Sequence, residues 1–148
     1  LPEPTAHATR IGGSVRHRLA RWNNVPVQSI IQRAVAGDDL ASLVDEYQRQ
    51  GGASFAETSD RLMVAVAERF LDGRLSYTDA DRVANAWWAL MCRPDNPQTE
   101  PIPTLAQTIF EAFDQGEYFH GDQLDPVQQF TIPLLRLALN DANGDCGE

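Results

Sequence analysis

The sequence predicts an all-α protein: an antiparallel bundle of about six helices with no sheet. Three observations carry that expectation. Apolar residues recur at spacings of three and four in six separate segments, and no segment alternates apolar and polar as a half-buried strand would. Cap-forming residues stand before those segments, and glycines stand after most of them. All connections but one are short, so successive helices fold back on one another. A chain of 148 residues that is 43% hydrophobic suits one folded domain with a real core.

Residues 1–24 read as a basic, partly flexible N-terminal segment. Pro2, Pro4, Gly12 and Gly13 interrupt it, and only SVRHRLARW (14–22) carries a helical stripe, through Val15, Leu19 and Trp22. The helical domain is expected over residues 25–140, followed by a flexible tail at 141–148. Its first helix starts at Pro26, a good first-turn residue, and buries Val27, Ile30, Ile31, Ala34 and Val35 up to Gly37. Asp38 or Asp39 caps the second, whose stripe is Leu40, Leu43, Val44 and Tyr47, and the glycine pair 51–52 ends it.

Ser54 and Glu57 form a capping box before the third helix, which turns Phe55, Leu62, Met63, Val66 and Phe70 inward and stops before Gly73. Ser76 and Asp79 open the fourth, with Ala80, Val83, Ala84, Trp87, Trp88 and Met91 along its seam. The stretch RPDNPQTEPIP (93–103) holds four prolines and reads as a shaped loop. The fifth helix resumes near Thr104, with Leu105, Ile109, Ala112 and Phe113 inward, and ends at Gly116. Asp125-Pro126 caps and starts the sixth, lined by Val127, Phe130, Leu134 and Leu137, with Pro133 expected to kink it.

Charge narrows the function. The net charge is −9, and all 12 cations are arginine. Residues 1–37 hold five arginines against Glu3 alone, whereas residues 38–148 hold 20 acids against seven arginines, a net of −13. A body of that charge repels nucleic acid and attracts basic proteins. No apolar run reaches the ~20 residues that span a bilayer, and LPEPTAHATR lacks the apolar stretch of a secretory leader. Cys92 and Cys146 read as free thiols of a reducing compartment, so the cytoplasm is the expected location.

No catalytic signature stands out. His7, His17 and His120 are far apart in sequence, and P-loop, GxGxxG, HExxH and GxSxG motifs are missing from the chain. Asp141, Asn143 and Asp145 imitate a calcium loop, but its sixth position needs glycine and holds Cys146. No cofactor and no metal are expected.

The richest stretch is FDQGEYFHGDQLDP (113–126). Gly116, Asp125 and Pro126 have architectural roles there. The candidate partner-binding residues are Glu111, Asp114, Glu117, Tyr118, Phe119, His120 and Asp122, together with Trp88. Trp87 and Trp88 point about 100° apart on their helix, so one is core; the first expectation for the other is core packing too, and the alternative is an exposed anchor for a partner. Glu111 and Asp114 lie one turn apart near a helix C-terminus, where the dipole disfavours acids. Carboxylates interleaved with aromatics suit a basic protein partner. Two other readings compete with this one. One is a helical metal-dependent hydrolase that uses the acids of 111–125 with His120. The other is a homodimer in which the basic N-terminal segment docks on an acidic body.

Residues 65–90 carry a helix ending in Phe70-Leu71, a turn through Asp72-Gly73, then Ser76 and Asp79 opening a second helix. With the acidic and aromatic run IFEAFDQGEY (109–118), this resembles the colicin-D-type bacterial immunity proteins over about residues 60–140. The resemblance implies a small helical bundle that blocks a nuclease toxin by offering carboxylates in place of phosphates. The expected function is therefore non-enzymatic: an acidic helical protein that binds and inhibits a basic partner such as a toxin.

Overall fold

The computed structural model describes residues 27–95, 103–118, 121 and 124–144. Those residues form six helices in the expected order, with no strand among them. They are α1 (Val27–Val35), α2 (Leu40–Gly51), α3 (Phe55–Leu71), α4 (Tyr77–Met91), α5 (Thr104–Gln115) and α6 (Ile132–Gly144), the last preceded by a π-helical turn at Val127–Thr131. The basic segment 1–24, the middle of the proline-rich loop and the last four residues lie outside the described residues.

Local chemistry sets most boundaries. The Asp39 carboxylate accepts from the Ser42 amide at 3.2 Å, Ser54 Oγ from the Glu57 amide at 3.1 Å, and Ser76 Oγ from the Asp79 amide at 3.1 Å. Each cap satisfies a helix N–H that has no partner inside the helix and contributes about 1 kcal/mol. At the end of α3 the Gly73 amide donates to the Phe70 carbonyl and the Arg74 amide to the Arg69 carbonyl. This is a Schellman motif, and it requires the φ of +75° that Gly73 adopts.

α5 is capped differently. Its N-terminal flank is Pro103, which offers no side-chain bond. Asp60 reaches across from α3 instead, and its Oδ1 accepts from the Ala106 amide at 2.9 Å. Burial pushes the Asp60 carboxyl above its ordinary range, and the Ala106 bond pulls it back only in part. Asp60→Ala should cost about 1–2 kcal/mol in chemical denaturation, because it orphans a helix N–H, and Asp60→Asn should cost less. A loss below about 0.3 kcal/mol for the alanine variant would show that the bond contributes nothing.

The α3–α4 hairpin lies in the middle of the bundle. α1 and α2 pack against both of its helices, and so does α5, which makes no comparable contact with α1 or α2. α6 packs on α5 and α3. The core joins Leu62, Met63, Val83, Trp87, Phe113 and Leu135, all fully buried. Burying side chains of this size contributes about 1.5–3 kcal/mol each.

The last helix departs from the expectation. The Ile132 amide donates to the Val127 carbonyl, five residues back, which defines the π turn. Pro133 follows directly. It lacks an N–H, and in a regular helix its ring would collide with the Gln129 carbonyl. The widened turn separates the two, so the irregularity expected as a kink at Pro133 is a π turn before it. The extra residue rotates everything downstream by about 100°. Thr131, Leu135 and Ala138 are buried in consequence, while Leu134 is 38% and Leu137 57% exposed. The expected inward stripe through Leu134 and Leu137 is therefore wrong by one residue. The helix also continues to Gly144, past the boundary expected at 140.

Candidate functional site

α4 and α5 run antiparallel, and their shared outer face gathers most of the acids that the sequence singles out. On α4 the face is built from Asp81, Asn85 and Trp88, spaced i, i+4, i+7 so that all three stack on one side. On α5 and the turn after it, the matching residues are Phe110, Asp114 and Glu117, with the same spacing. The start of α4 therefore meets the end of α5, and Trp88 meets the middle of α5.

The aromatic end is a stack. The Trp88 and Phe110 rings lie 4.8 Å apart and only 7° from parallel. Trp88 remains 37% exposed, whereas Trp87 is fully buried and leans on both rings. The two tryptophans thus divide into one core residue and one surface residue, and the surface one is the residue expected to anchor a partner.

The acidic end is denser. Asn85 Nδ2 donates to Asp81 Oδ2 at 3.1 Å and to Glu117 Oε1 at 3.0 Å, bridging the two helices. Burial pushes the half-buried Asp81 carboxyl up to about 7, helped by the Glu117 charge, a hydrogen bond with Glu117, and the Asp114 charge. Tyr77 donates to the Phe113 carbonyl at 2.7 Å, adding a side-chain bond to the last turn of α5. Burial raises the Tyr77 hydroxyl well above its ordinary value, and Asp81, Glu117, Asp114 and Asp125 add to the rise in that order. Four carboxylates therefore act on one phenol.

The corner depends on Gly116. Its φ is −76°, which any residue adopts, so conformational freedom is not why glycine stands there. Space is the reason: a Cβ at Gly116 would run into Thr131 Oγ1 and come within 2.7 Å of the Tyr77 hydroxyl. The close approach of α4, the end of α5 and the π turn is possible only without a side chain at 116.

No cation among the described residues answers this charge. The ion pairs join Arg33 to Asp38 and Glu46, Arg74 to Asp72, Arg82 to Asp79, and Arg93 to Asp39, all away from the cluster. Nor do three or more metal-ligating side chains converge on one point among the described residues.

Of the residues expected at a partner site, Asp114, Glu117 and Trp88 belong to this face. Tyr118 follows at 57% exposure. Glu111 is exposed on α5 and accepts from Gln107 Nε2 at 3.1 Å. Phe119, His120 and Asp122 lie outside the described residues, and so does any geometry for the hydrolase reading that rests on His120. Asp125 has the expected capping role, its Oδ1 accepting from the Val127 amide at 3.0 Å. Tyr77, Asp81 and Asn85 were missed from the sequence because they sit some thirty residues upstream, on a helix read only for its core seam. The available signal was the Asp81, Asn85, Trp88 spacing, which marks a second face on that helix.

Comparison with protein-family models, curated proteins and solved structures finds no match. No described helix is long and apolar enough to cross a membrane.

Proposed function

We propose that this protein binds a basic partner protein through the α4–α5 face and performs no chemistry on it. The observation that carries this reading is the cluster of Asp81, Asp114, Glu117 and Asp125 around Tyr77, with no cation among the described residues to neutralise it. Crowding carboxylates costs stability, and a guanidinium or ammonium group from a partner would relieve that cost. The Trp88–Phe110 stack lies two helical turns away, at about 10 Å, and offers a flat, partly exposed surface for an apolar or arginine side chain. An inhibitor of a basic toxin, as in immunity proteins, is the sharpest form of this proposal. The net of −13 over residues 38–148 favours fast, electrostatically steered capture.

The test uses the full chain as bait in its source cells, beside a variant carrying Asp114→Asn, Glu117→Gln and Trp88→Ala. A partner held by the native chain and lost with the variant is the expected result. Its affinity, measured by calorimetry, should fall at least about tenfold between 50 mM and 500 mM salt. Equal capture by both baits, or an affinity indifferent to salt, would refute the assignment.

A further inference from the structure

We infer that the basic N-terminal segment, residues 14–22, docks on the α4–α5 face of its own chain and covers that face until a more basic partner displaces it. The face and the segment complement each other in two respects. The first is charge. Asn85 Nδ2 donates to Asp81 at 3.1 Å and to Glu117 at 3.0 Å, and Asp114 stands three residues before Glu117. The ion-paired arginines of the described residues are engaged elsewhere, on Asp38, Glu46, Asp72, Asp79 and Asp39. Arg49 turns to the Asp45 carbonyl of its own helix, and Arg61 is buried against Tyr47. The sequence holds its unassigned cations in one place: Arg16, Arg18 and Arg21 fall within SVRHRLARW, and residues 4–37 contain no acid. Opposite charge on two surfaces of one chain favours their meeting.

The second respect is apolar. Trp88 stacks on Phe110 at 4.8 Å, keeps 37% of its surface exposed, and lies seven residues along α4 from Asp81, about 10 Å. The segment offers Val15, Leu19 and Trp22 at i, i+4 and i+7, with the three arginines set between them. Apolar and basic side chains thus alternate over the length in which the face sets an exposed indole beside carboxylates. A purely basic tail would satisfy the acids and leave Trp88 uncovered.

The connection is long enough. The segment joins the described residues at Val27, the first residue of α1. At the far end of α1 the Val35 carbonyl accepts from Arg82 Nη1 at 3.3 Å, and Arg82 is the neighbour of Asp81. A helix of this length spans about 13 Å, which puts Val27 within about 25 Å of the start of the face. Residues 14–26 reach up to about 45 Å when extended. A tether this short gives the segment an effective concentration on the order of millimolar at its own face, which a second copy matches only in millimolar solution. The occupant is therefore the same chain. A face that is covered part of the time binds an outside partner more weakly, in proportion to the fraction left open. The contact itself requires no partner, so it stands or falls separately from the binding proposal.

The experiment is NMR on the full chain, native and with Arg16→Gln, Arg18→Gln and Arg21→Gln combined. At 50 mM salt the native chain should show nuclear Overhauser contacts from Leu19 or Trp22 to the Trp88 or Phe110 ring. The triple variant should lose them, with shifts of the Asn85 side-chain amide and the Trp88 indole signals. Raising salt to 500 mM should move the native signals toward the positions they take in the variant. Absence of those contacts in the native chain would overturn the inference, and so would Asn85 and Trp88 signals that coincide in the two proteins. Contacts that vanish on tenfold dilution would also overturn it, because they would belong to a second copy. The native spectra decide the matter even where the variant folds poorly. A negative result leaves the binding proposal to its own capture experiment, since no partner is present here.

Discussion

Gly116→Ala should lower the unfolding free energy by about 2–3 kcal/mol, at the upper end of what overpacking one methyl group usually costs. The added Cβ meets Thr131 Oγ1 and lies 2.7 Å from the Tyr77 hydroxyl and 3.1 Å from its ring. Neither neighbour moves easily. Tyr77 is wedged edge-on against Phe70 at 6.0 Å and tilted against Phe113 at 6.1 Å, and its hydroxyl holds the Phe113 carbonyl. Thr131 is fully buried in the π turn. Relief means parting α4 from the end of α5, which breaks the Tyr77 bond and spreads the acidic corner. Gly144→Ala is the control: nothing lies within 4 Å of a Cβ there, and alanine in a helix is worth up to about 1 kcal/mol over glycine. Urea unfolding followed by tryptophan fluorescence measures both. A loss below about 0.5 kcal/mol for Gly116→Ala would mean that the three elements are not packed as described.

Glycine at 116 shows how a correct boundary can be read for an incomplete reason. A glycine at the end of an apolar stripe signals a helix stop, and α5 does stop there. The signal usually works through a positive φ, as at Gly52 and Gly73. At Gly116 it works through steric clearance toward residues 77 and 131, which are distant in sequence and invisible to a local pattern. The same limit hid the Asp60 cap of α5. A carboxylate on α3 that serves an N–H on α5 leaves no mark within either segment. Caps made within three residues, at Asp39, Ser54 and Ser76, were legible because their geometry is local.

The acidic face was half legible for a related reason. Asp114, Glu117 and Tyr118 stand out because they crowd one short stretch. Asp81 stands in ordinary helical company, next to Arg82, which suggests a solvated charge. Its importance comes from the antiparallel pairing of α4 with α5, which places it opposite Glu117. Buried polar residues were equally hidden. Thr58, Ser59 and Arg61 lie on the inner side of α3, and Arg61 reaches Tyr47 from there. Hydrophobic periodicity finds a core face by its apolar members and does not register polar residues that share it.

Leu135→Ala should be the most damaging truncation in the last helix, at about 3–4 kcal/mol, while Leu134→Ala and Leu137→Ala should each cost less than about 1 kcal/mol. The contrast tests the π turn. A regular helix through residues 127–144 keeps Val127, Phe130, Leu134 and Leu137 on one side, and the two outer leucines would then carry the packing. One extra residue at Val127–Thr131 replaces them with Thr131, Leu135 and Ala138. Leu135 is fully buried in the core of a helix that packs on α5 and α3, so its truncation leaves a cavity that the helix cannot collapse around. Leu137, at 57% exposure, leaves almost nothing behind. Pro133 makes the choice between registers physical: in the regular register its ring and the Gln129 carbonyl compete for the same space, and the π turn removes that conflict. Pro133→Ala removes the conflict from the sequence side. The buried register should nevertheless persist in that variant, because reverting to a regular helix would turn Leu135 out to solvent and draw Leu134 and Leu137 into space shaped for Leu135 and Ala138. Hydrogen exchange should show the amides of α6 at least as well protected in Pro133→Ala as in the native chain. If Leu137→Ala proved as costly as Leu135→Ala, the register described for α6, and the π turn with it, would be wrong.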